Sequence, residues 1–349
     1  MTRSRRPPHL PTYRARAQDF WNTPLATRGA TTYTRVNLTA LTNPCFGAWP
    51  GGGDCAYYEA TAQDPLVSLF YLGASTMYNK LASRAWANWG NPPAIEMQIR
   101  ALASQTWNGK PYNEYSKGDV SGGPPVGVRS RFAPPWRLTA HVPRGAHPDP
   151  HADGLMSVRQ PDGAVLETMG TVILANGDLV TISAGFINPA HLLDGANMGR
   201  RASLLPAYAG IVRQGEMTAQ RLPHVLALNF GPEAILAQNP VYPAFGLDSS
   251  TVYTGGPGTA LPMGGMLAIP PHIPLASAGI TTTAGLTIAT ALQRYGGVLG
   301  DTATQGMWGI CAQAYATDIP PWSGPLAHDL GSIRDLCQRV NCADFPVRV

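Results

Sequence analysis

The chain has 349 residues, of which 44% are hydrophobic and 13% charged, and its formal net charge is +4. This composition supports a packed core and excludes a disordered chain. The small net charge, without a basic stripe interleaved with aromatic residues, excludes a nucleic-acid-binding protein. The 38 glycines and 33 prolines favour short strands joined by irregular loops over a helical bundle.

The first 25 residues predict an extended arm. Arginines and prolines dominate the sequence MTRSRRPPHLPTYRAR, and the prolines prevent a regular helix. We expect such an arm to contact a partner subunit or to stay solvated. The N-terminus has no apolar h-region typical of a signal peptide, and no apolar run of about 18 residues predicts a membrane span. We therefore expect an intracellular protein, a form exported in another way, or a virion component.

Residues 26–349 predict a single β-rich domain with a helical insert over about 66–106. Apolar residues recur at helical spacing in both halves of this insert, at Leu66, Leu69 and Phe70 and again at Ile95, Ile99 and Leu102. Four aromatic residues in or near it are candidates for a glycan-binding platform: Trp86, Trp89, Trp107 and Tyr112. The alternative is that they pack in the core, because aromatic side chains bury large areas.

Beyond about residue 136 the sequence predicts strands. Short segments rich in β-branched residues are separated by Pro161-Asp162-Gly163 and by Asn176-Gly177-Asp178, which are turn and hairpin signals and indicate an antiparallel meander. One helix is predicted in TTTAGLTIATALQRYGG, with Leu286, Ala289, Leu292 and Tyr295 on one face. The predicted fold is therefore mainly β: an antiparallel β-sandwich or jelly roll with the helical insert and one helix in the C-terminal half.

A series of short motifs runs through the chain in a fixed order: WNTPLA, DPHADGLMSV, AVLETM, LLPAYAGIVRQGEM, RLPHVLAL, VYPAFGLDSS, ALPMGGMLAIPP and ALQRYGGVLGDT. Together they resemble a family of secreted, β-rich actinobacterial proteins whose members often sit beside carbohydrate-binding modules. The resemblance covers roughly residues 20–349 and implies an extracellular, glycan-related setting. The Arg-rich arm and the lack of a signal peptide depart from the family and favour a phage-borne version. The polar residues in these motifs are Asp153, Glu167, His224, Asp248 and Asp301, and the resemblance assigns them no chemical roles.

The stretch His147–Asp153 raises the possibility of a metal site. His147, Asp149, His151 and Asp153 alternate along it, and histidine and aspartate both bind divalent metals. Pro148 and Pro150 interleave them and favour a rigid polar loop instead. A third interpretation is that Asp153 alone makes a catalytic or sugar-binding contact where the next strand begins. A divalent metal at His147 and His151 stays open as an alternative, and no other cofactor is predicted.

Four residues are candidates for catalysis: Asp153, Glu167, Asp248 and His224. Cleavage of a glycosidic bond needs one protonated and one ionised carboxyl group, and a hairpin across Pro161–Gly163 brings Asp153 towards Glu167. Asp153 is otherwise a turn-capping residue. His224 is a candidate general base because its pKa lies near neutrality, and the alternative is a hydrogen-bonded structural histidine. A lyase would use His224 or Tyr242 as base and Arg213 to neutralise a uronate.

Two cysteine pairs are candidates for small disulfide loops, Cys45 with Cys55 and Cys337 with Cys342, whereas Cys311 is expected to be a buried apolar residue. Disulfides suit an oxidising exterior.

The sequence as a whole predicts an extracellular or virion-borne protein, structural or receptor-binding, that contacts a cell-surface polysaccharide. Virion-borne examples include phage tail or capsid-associated proteins. The arm is expected to bind a neighbouring copy or another virion subunit, which makes a homo-oligomer the expected assembly. The alternative is a polysaccharide-cleaving enzyme, either a glycoside hydrolase or a lyase. A third possibility is a scaffolding protein without a ligand.

Overall fold

The computed structural model describes residues 20–29, 31–47, 54–71, 106–107, 110–111, 139–149, 154–173, 177–187, 199–248 and 250–342. Within these ranges the protein is mainly β, as predicted, with fifteen strands and two α-helices. The strands are β1 (Thr31–Arg35), β2 (Asn43–Phe46), β3 (Ala56–Glu59), β4 (Leu66–Tyr71), β5 (Thr106–Trp107), β6 (Lys110–Pro111), β7 (Thr139–His141), β8 (Met156–Arg159), β9 (Val165–Ile173), β10 (Leu179–Ile187), β11 (Leu226–Phe230), β12 (Met266–Ala268), β13 (Gly297–Thr302), β14 (Met307–Ile310) and β15 (Gln338–Cys342). The helices are α1 (Thr283–Arg294) and α2 (Pro325–Leu336). Four single-turn 3-10 helices cover Leu25–Thr27, Pro232–Ala234, Ser250–Val252 and Leu275–Ser277.

The chain divides into two compact units. One unit consists of two segments of the sequence, Met1–Gly51 and Ala209–Val349, and we call it the outer unit. The segment between them in the sequence, Gly52–Tyr208, forms the other unit, which we call the inner unit. The sequence predicted one domain over 26–349. The two units share the same Gly- and Pro-rich composition, so no change in composition marks the boundary between them. No described helix is long and apolar enough to cross a membrane.

The inner unit contains a six-stranded sheet in the order β3-β8-β9-β10-β4-β7. Its centre is the predicted meander, because β8, β9 and β10 follow one another in antiparallel pairs. At the first turn the Asp162 side chain accepts a hydrogen bond from the Ala164 amide at 3.1 Å, and Gly163 has a φ of +89°. The prediction of a wholly antiparallel sheet is wrong, since β3 pairs with β8 and β4 with β10 in parallel.

The predicted helical insert begins as a strand. Leu66, Leu69 and Phe70 lie in β4, beside β10. Val67 and Leu69 are buried while Leu66 is 61% exposed, so burial alternates with the period of a strand. The apolar spacing fits both periods over so short a run, and pairing with β10 and β7 decides between them. Trp107 lies in β5, which pairs with β6. The rest of the predicted insert, 72–105, lies outside the described residues.

The outer unit contains a seven-stranded mixed sheet in the order β1-β15-β12-β13-β11-β14-β2. β11 and β13 are parallel, whereas β12 is antiparallel to both β13 and β15. Three strands, β11, β13 and β15, therefore run in the same direction, and their carboxyl ends meet at one edge of the sheet. Every residue of β11 is buried, as expected for a central strand covered on both faces.

The helix predicted in the C-terminal half is confirmed as α1. The Thr282 hydroxyl accepts a hydrogen bond from the Gly285 amide at 2.9 Å and caps its first turn. Ala289, Leu292 and Tyr295 are buried as predicted. Leu286 is 37% exposed and does not belong to that face, because the buried side of the helix includes Gly285 and Ile288 instead.

A second helix, α2, was not predicted. Its apolar residues Leu326, Leu330 and Ile333 have helical spacing and are buried, but the interspersed charges and Gly331 weaken the pattern. The helix is joined to the start of α1 by Asp329, whose carboxylate accepts hydrogen bonds from Thr281 and Thr282.

Residues 20–25, which were assigned to the predicted arm, belong to the outer unit. Phe20, Trp21 and Leu25 are buried in the outer unit, and the Trp21 carbonyl accepts a hydrogen bond from the Val225 amide at 2.7 Å. Apolar burial therefore anchors the chain from Phe20 onward. Residues 1–19, with all the arginines of the arm, lie outside the described residues.

Candidate functional site

Polar and aromatic side chains lie along β15 and where β13 ends. We call this region the carboxyl edge, and it comprises Tyr242, Asp248, Tyr253, Asp301, Thr302, Arg339 and Asn341. β12 separates the two strands, and the register places Asn341 level with Leu299, so Asp301 on β13 lies two strand spacings away and two residues further along, roughly 12 Å from Asn341. The loop between Val241 and Tyr253 covers the same edge, since the Val241 amide donates to the Met263 carbonyl at 2.9 Å.

One half of the carboxyl edge is a closed ring of hydrogen bonds. The Thr302 hydroxyl donates to the Asp248 carboxylate at 2.9 Å, and the Asp248 amide donates to the Tyr253 hydroxyl at 3.1 Å. Tyr253 and Thr302 complete the ring at 3.1 Å. Burial, together with the charges of Asp248 and Asp301, raises the pKa of Tyr253, so the phenol stays protonated at neutral pH. Asp248 itself is exposed, and its carboxylate is held in one orientation.

The other half is a cleft lined by residues that are not part of this ring. Tyr242, Gly264, Gly265, Arg339 and Asn341 are among the residues that line it. Gly264 has a φ of +87°, and a Cβ there would collide with the Val241 carbonyl oxygen, so this close approach requires glycine. The Tyr242 ring packs edge-on against Phe20, with ring centroids 6.1 Å apart. The floor and one aromatic wall of the cleft are thereby fixed.

Two polar side chains of the cleft come from the same face of β15. Arg339 and Asn341 are two residues apart, and strand geometry points them to one side while the buried Val340 points to the other. The Asn341 amide donates to the Thr34 hydroxyl at 2.8 Å. Within the described residues, no carboxylate forms an ion pair with Arg339. The cleft can therefore offer a guanidinium, an amide and an aromatic ring to one ligand.

The prediction that Glu167 is a catalytic residue required an open groove around it, and that requirement is not met. Its side chain is completely buried and accepts hydrogen bonds from the Ser157 hydroxyl (3.2 Å), the Arg200 amide (3.2 Å) and the Tyr208 amide (3.1 Å). Burial raises the pKa of Glu167, although these amides and the charges of Arg200 and Arg201 oppose the change. Glu167 joins β9 to the loop that ends the inner unit, which is a structural role.

His224 also has a structural position. It is buried, and its Nδ1 lies 2.9 Å from the Val225 carbonyl oxygen, so Nδ1 must donate a proton there. Its Nε2 lies 3.1 Å from the carboxylate of Glu216, which is itself buried and accepts from the Arg213 amide at 2.7 Å. Both ring nitrogens are engaged, so His224 has no lone pair directed at a ligand, and the alternative of a hydrogen-bonded structural histidine describes it.

Of the remaining predicted site residues, some lie within the described ranges and others lie outside them. Asp153, His151, Trp86, Trp89 and Tyr112 lie outside the described residues. His147 is exposed, and its backbone is hydrogen-bonded to the Tyr58 hydroxyl at 3.0 Å. In the described ranges no group of three or more His, Cys, Asp or Glu side chains could hold a metal ion. Asp248 therefore stays the one predicted catalytic residue that is both described and accessible.

Both predicted disulfides are wrong, because none of the five cysteines forms a disulfide. Cys337 and Cys342 flank an extended strand, so their Cα atoms are roughly 16 Å apart, whereas a disulfide needs about 4–7 Å. Cys45 is buried in β2 of the outer unit, and Cys55 is buried in the inner unit with its sulfur 3.2 Å from the Ser157 hydroxyl. Burial raises the pKa of Cys337 to about 12, which keeps it an unreactive thiol. Cys311 is buried, as predicted.

Sequence reasoning missed most of the carboxyl edge. Asp248, Asp301 and Tyr242 were singled out, but Tyr253, Arg339 and Asn341 were not. The only signal for the last two was the alternation in QRVNC, which is common in edge-proximal strands. About a hundred residues separate Tyr242 from Arg339, and only strand order brings them together.

Comparison with known proteins adds no further constraint: no family model matches the chain, and no significantly similar curated protein or solved structure was found. The class defined by fold and site is therefore a two-unit, mainly β protein with an aromatic, guanidinium-bearing cleft at one sheet edge. The resemblance to secreted actinobacterial proteins stays a prediction.

Proposed function

We propose that this is an extracellular or virion-borne protein, structural or receptor-binding, that contacts a cell-surface glycan through the cleft of the carboxyl edge. The observation that carries the proposal is the joint lining of that cleft by Tyr242, Arg339 and Asn341. A saccharide presents an apolar C–H face, which packs on an aromatic ring, and hydroxyl groups, which bond to amide and guanidinium groups. A few such polar groups around a concave surface are typical of ligand sites.

The proposed setting rests on the sequence. The Arg-rich arm would bind a neighbouring copy or another virion subunit, which gives a homo-oligomer with several clefts and raises the apparent affinity for a repetitive glycan. The finer fold prediction, a sandwich or jelly roll, is part of the same proposal, because such folds are common in lectin and virion proteins.

Replacing Tyr242 with alanine is expected to weaken binding of a saccharide ligand about tenfold, which corresponds to about 1.4 kcal/mol. The ring supplies the aromatic wall of the cleft, and its removal leaves the polar contacts in place. A glycan array identifies ligands, and calorimetry with the best soluble oligosaccharide measures the dissociation constant.

Tyr315→Ala is the matched control for this variant. Tyr315 is 52% exposed and follows β14, which runs opposite to β11 and therefore ends at the other edge of the sheet. Its loss should leave the affinity unchanged. Equal weakening by both variants, or no binding of any glycan by the unaltered protein, would contradict the proposal.

The alternative function, a polysaccharide-cleaving enzyme, is favoured by one observation. Asp248 and Asp301 both act on Tyr253 electrostatically, so two carboxylates lie near the same phenol. Glycosidases need two carboxyl groups in different protonation states on either side of the bond.

If the protein cleaves a polysaccharide, Asp248→Asn is expected to reduce the rate at least 100-fold, because an amide can neither donate a carboxyl proton nor act as a base. The measurement is the release of new reducing ends from actinobacterial wall polysaccharides. Glu167→Gln is the control and should retain activity if the protein stays folded. Cleavage that survives Asp248→Asn would assign the chemistry to other residues.

A further inference from the structure

We infer that the ligand of the cleft is an acidic saccharide of the uronate class, whose carboxylate binds the Arg339 guanidinium. This inference rests on the proposed glycan-binding function and narrows its ligand. Among the described residues that line the cleft, Arg339 is the one that carries a charge; the others are Val241, Tyr242, Pro262, Gly264, Gly265, Met266, Val340, Asn341 and Cys342. Asp248 belongs to the ring of hydrogen bonds with Tyr253 and Thr302, and neither Asp248 nor Asp301 lines the cleft. The local potential is therefore positive and favours an anion.

The backbone of Arg339 is held firmly for this role. Arg339 pairs with Leu267 of β12 on one side and with Thr34 of β1 on the other, so its Cα lies inside the sheet and not in a loop. A guanidinium presents two parallel N–H groups that match the two oxygens of a carboxylate. A strand between two neighbours fixes the backbone position from which this guanidinium extends.

The other two side chains give the cleft a preference for a sugar carboxylate over a free anion. Tyr242 lines the cleft with an aromatic ring of the kind that packs on the apolar face of a sugar, and this ring lies perpendicular to that of Phe20. Asn341 projects from the same face of β15 as Arg339 and offers an amide to a ring hydroxyl. A pyranose bearing one carboxylate uses all three groups at once.

The rate at which the Cys342 thiol is alkylated can report whether a ligand occupies the cleft. Of the five cysteines, all of which lie in the described ranges, Cys342 is the one that is partly exposed, and it lines the cleft. A saccharide that fills the cleft should therefore slow its alkylation by N-ethylmaleimide. The probes are short homo-oligomers of galacturonate, glucuronate and mannuronate, each compared with its carboxyl-reduced counterpart, and sulfated oligosaccharides report on a different anion.

We expect one of the uronate oligomers to slow alkylation of Cys342 at least fivefold, and its carboxyl-reduced form to slow it less than twofold. Arg339→Gln should weaken binding of that uronate at least 30-fold, and Arg339→Lys should recover part of the loss, because lysine keeps the charge without the fork. Arg221→Gln, at an exposed arginine elsewhere in the outer unit, is the matched control and should change the affinity less than twofold.

The possible results distinguish a failure of the acidic-ligand inference from a failure of the glycan-binding proposal on which it rests. Equal binding of the acidic and reduced oligomers, unaffected by Arg339→Gln but weakened by Tyr242→Ala, would keep the glycan-binding proposal and overturn the acidic ligand. Preference for a sulfated saccharide that lacks a carboxylate would overturn it as well. If no saccharide binds or protects Cys342, both fail. The Cys342 measurement on the unaltered protein decides the matter even if an Arg339 variant does not fold.

Discussion

Asp329→Ala is expected to lower the free energy of unfolding by about 3–5 kcal/mol, as for other buried, multiply hydrogen-bonded carboxylates. Asp329 is buried and accepts four hydrogen bonds: from the Thr281 amide (2.9 Å) and hydroxyl (3.2 Å) and from the Thr282 amide (2.7 Å) and hydroxyl (2.6 Å). Alanine would leave the partly buried amides of Thr281 and Thr282 without this acceptor and release Thr282, which caps α1. Urea denaturation followed by circular dichroism measures the change.

The dependence of stability on acid pH is a second test of the hydrogen bonds between Asp329 and the two threonines. Burial raises its pKa, but the hydrogen bonds from Thr282 and Thr281 outweigh burial and hold the pKa of Asp329 below its ordinary value. Because the pKa is lower in the folded state, the contribution of Asp329 to the free energy of unfolding is present above the ordinary pKa of aspartate. It is lost as the pH falls through the lowered value. Asp329→Asn should therefore reduce the loss of stability at acid pH.

Asp335→Ala is the control on the same helix. Asp335 is exposed and pairs with Arg334 at 2.7 Å, an exposed contact that contributes less than about 1 kcal/mol. Equal destabilisation by Asp329→Ala and Asp335→Ala would show that the four hydrogen bonds do not hold α2 against α1.

Glu167→Ala is expected to lower the free energy of unfolding by about 3–5 kcal/mol. The variant removes a fully buried side chain and leaves the Arg200 and Tyr208 amides without their acceptor. Glu167→Gln keeps the shape and one acceptor oxygen, so its cost should be smaller.

The pH dependence separates Glu167 from Asp329. Burial raises the pKa of Glu167 in the folded state, against the opposing effects of the Tyr208 amide, Arg200 and Arg201. A raised folded pKa means that its contribution is present below the ordinary value of 4.5 and is lost as the pH rises through the folded value. As the pH rises above 4.5, the midpoint of urea denaturation should therefore fall more steeply in the unaltered protein than in Glu167→Gln. An unchanged slope would contradict the raised pKa.

Local sequence patterns predicted those elements whose geometry depends on a few neighbouring residues. The Pro161-Asp162-Gly163 turn and the flanking β-branched runs predicted the meander, because Asp162 bonds within the turn and Gly163 takes a positive φ. Apolar spacing predicted α1. In contrast, Leu66–Tyr71 is too short for its apolar spacing to distinguish a helix from a strand, and pairing with β10 decided it.

The candidate site shows the same division. Asp248 and Asp301 could be chosen from the sequence as carboxylates in motifs, but nothing local distinguished them from Glu167, which is buried and hydrogen-bonded to backbone amides. Likewise, His224 was a plausible base until Glu216 and the Val225 carbonyl were found at its two nitrogens. Burial and partners, which depend on distant segments, determine what each of these residues can do.

The sequence by itself determined that the chain is mainly β, where its tightest turns lie and where α1 begins and ends, because φ preferences, capping and apolar periodicity act over a few neighbouring residues. Only the tertiary structure decided the division into two units, the parallel strand pairs and the carboxyl edge. These depend on strand order, which joins Tyr242 to Arg339 and Asp248 to Thr302 across long stretches of chain. Such non-local pairings leave no period in the sequence.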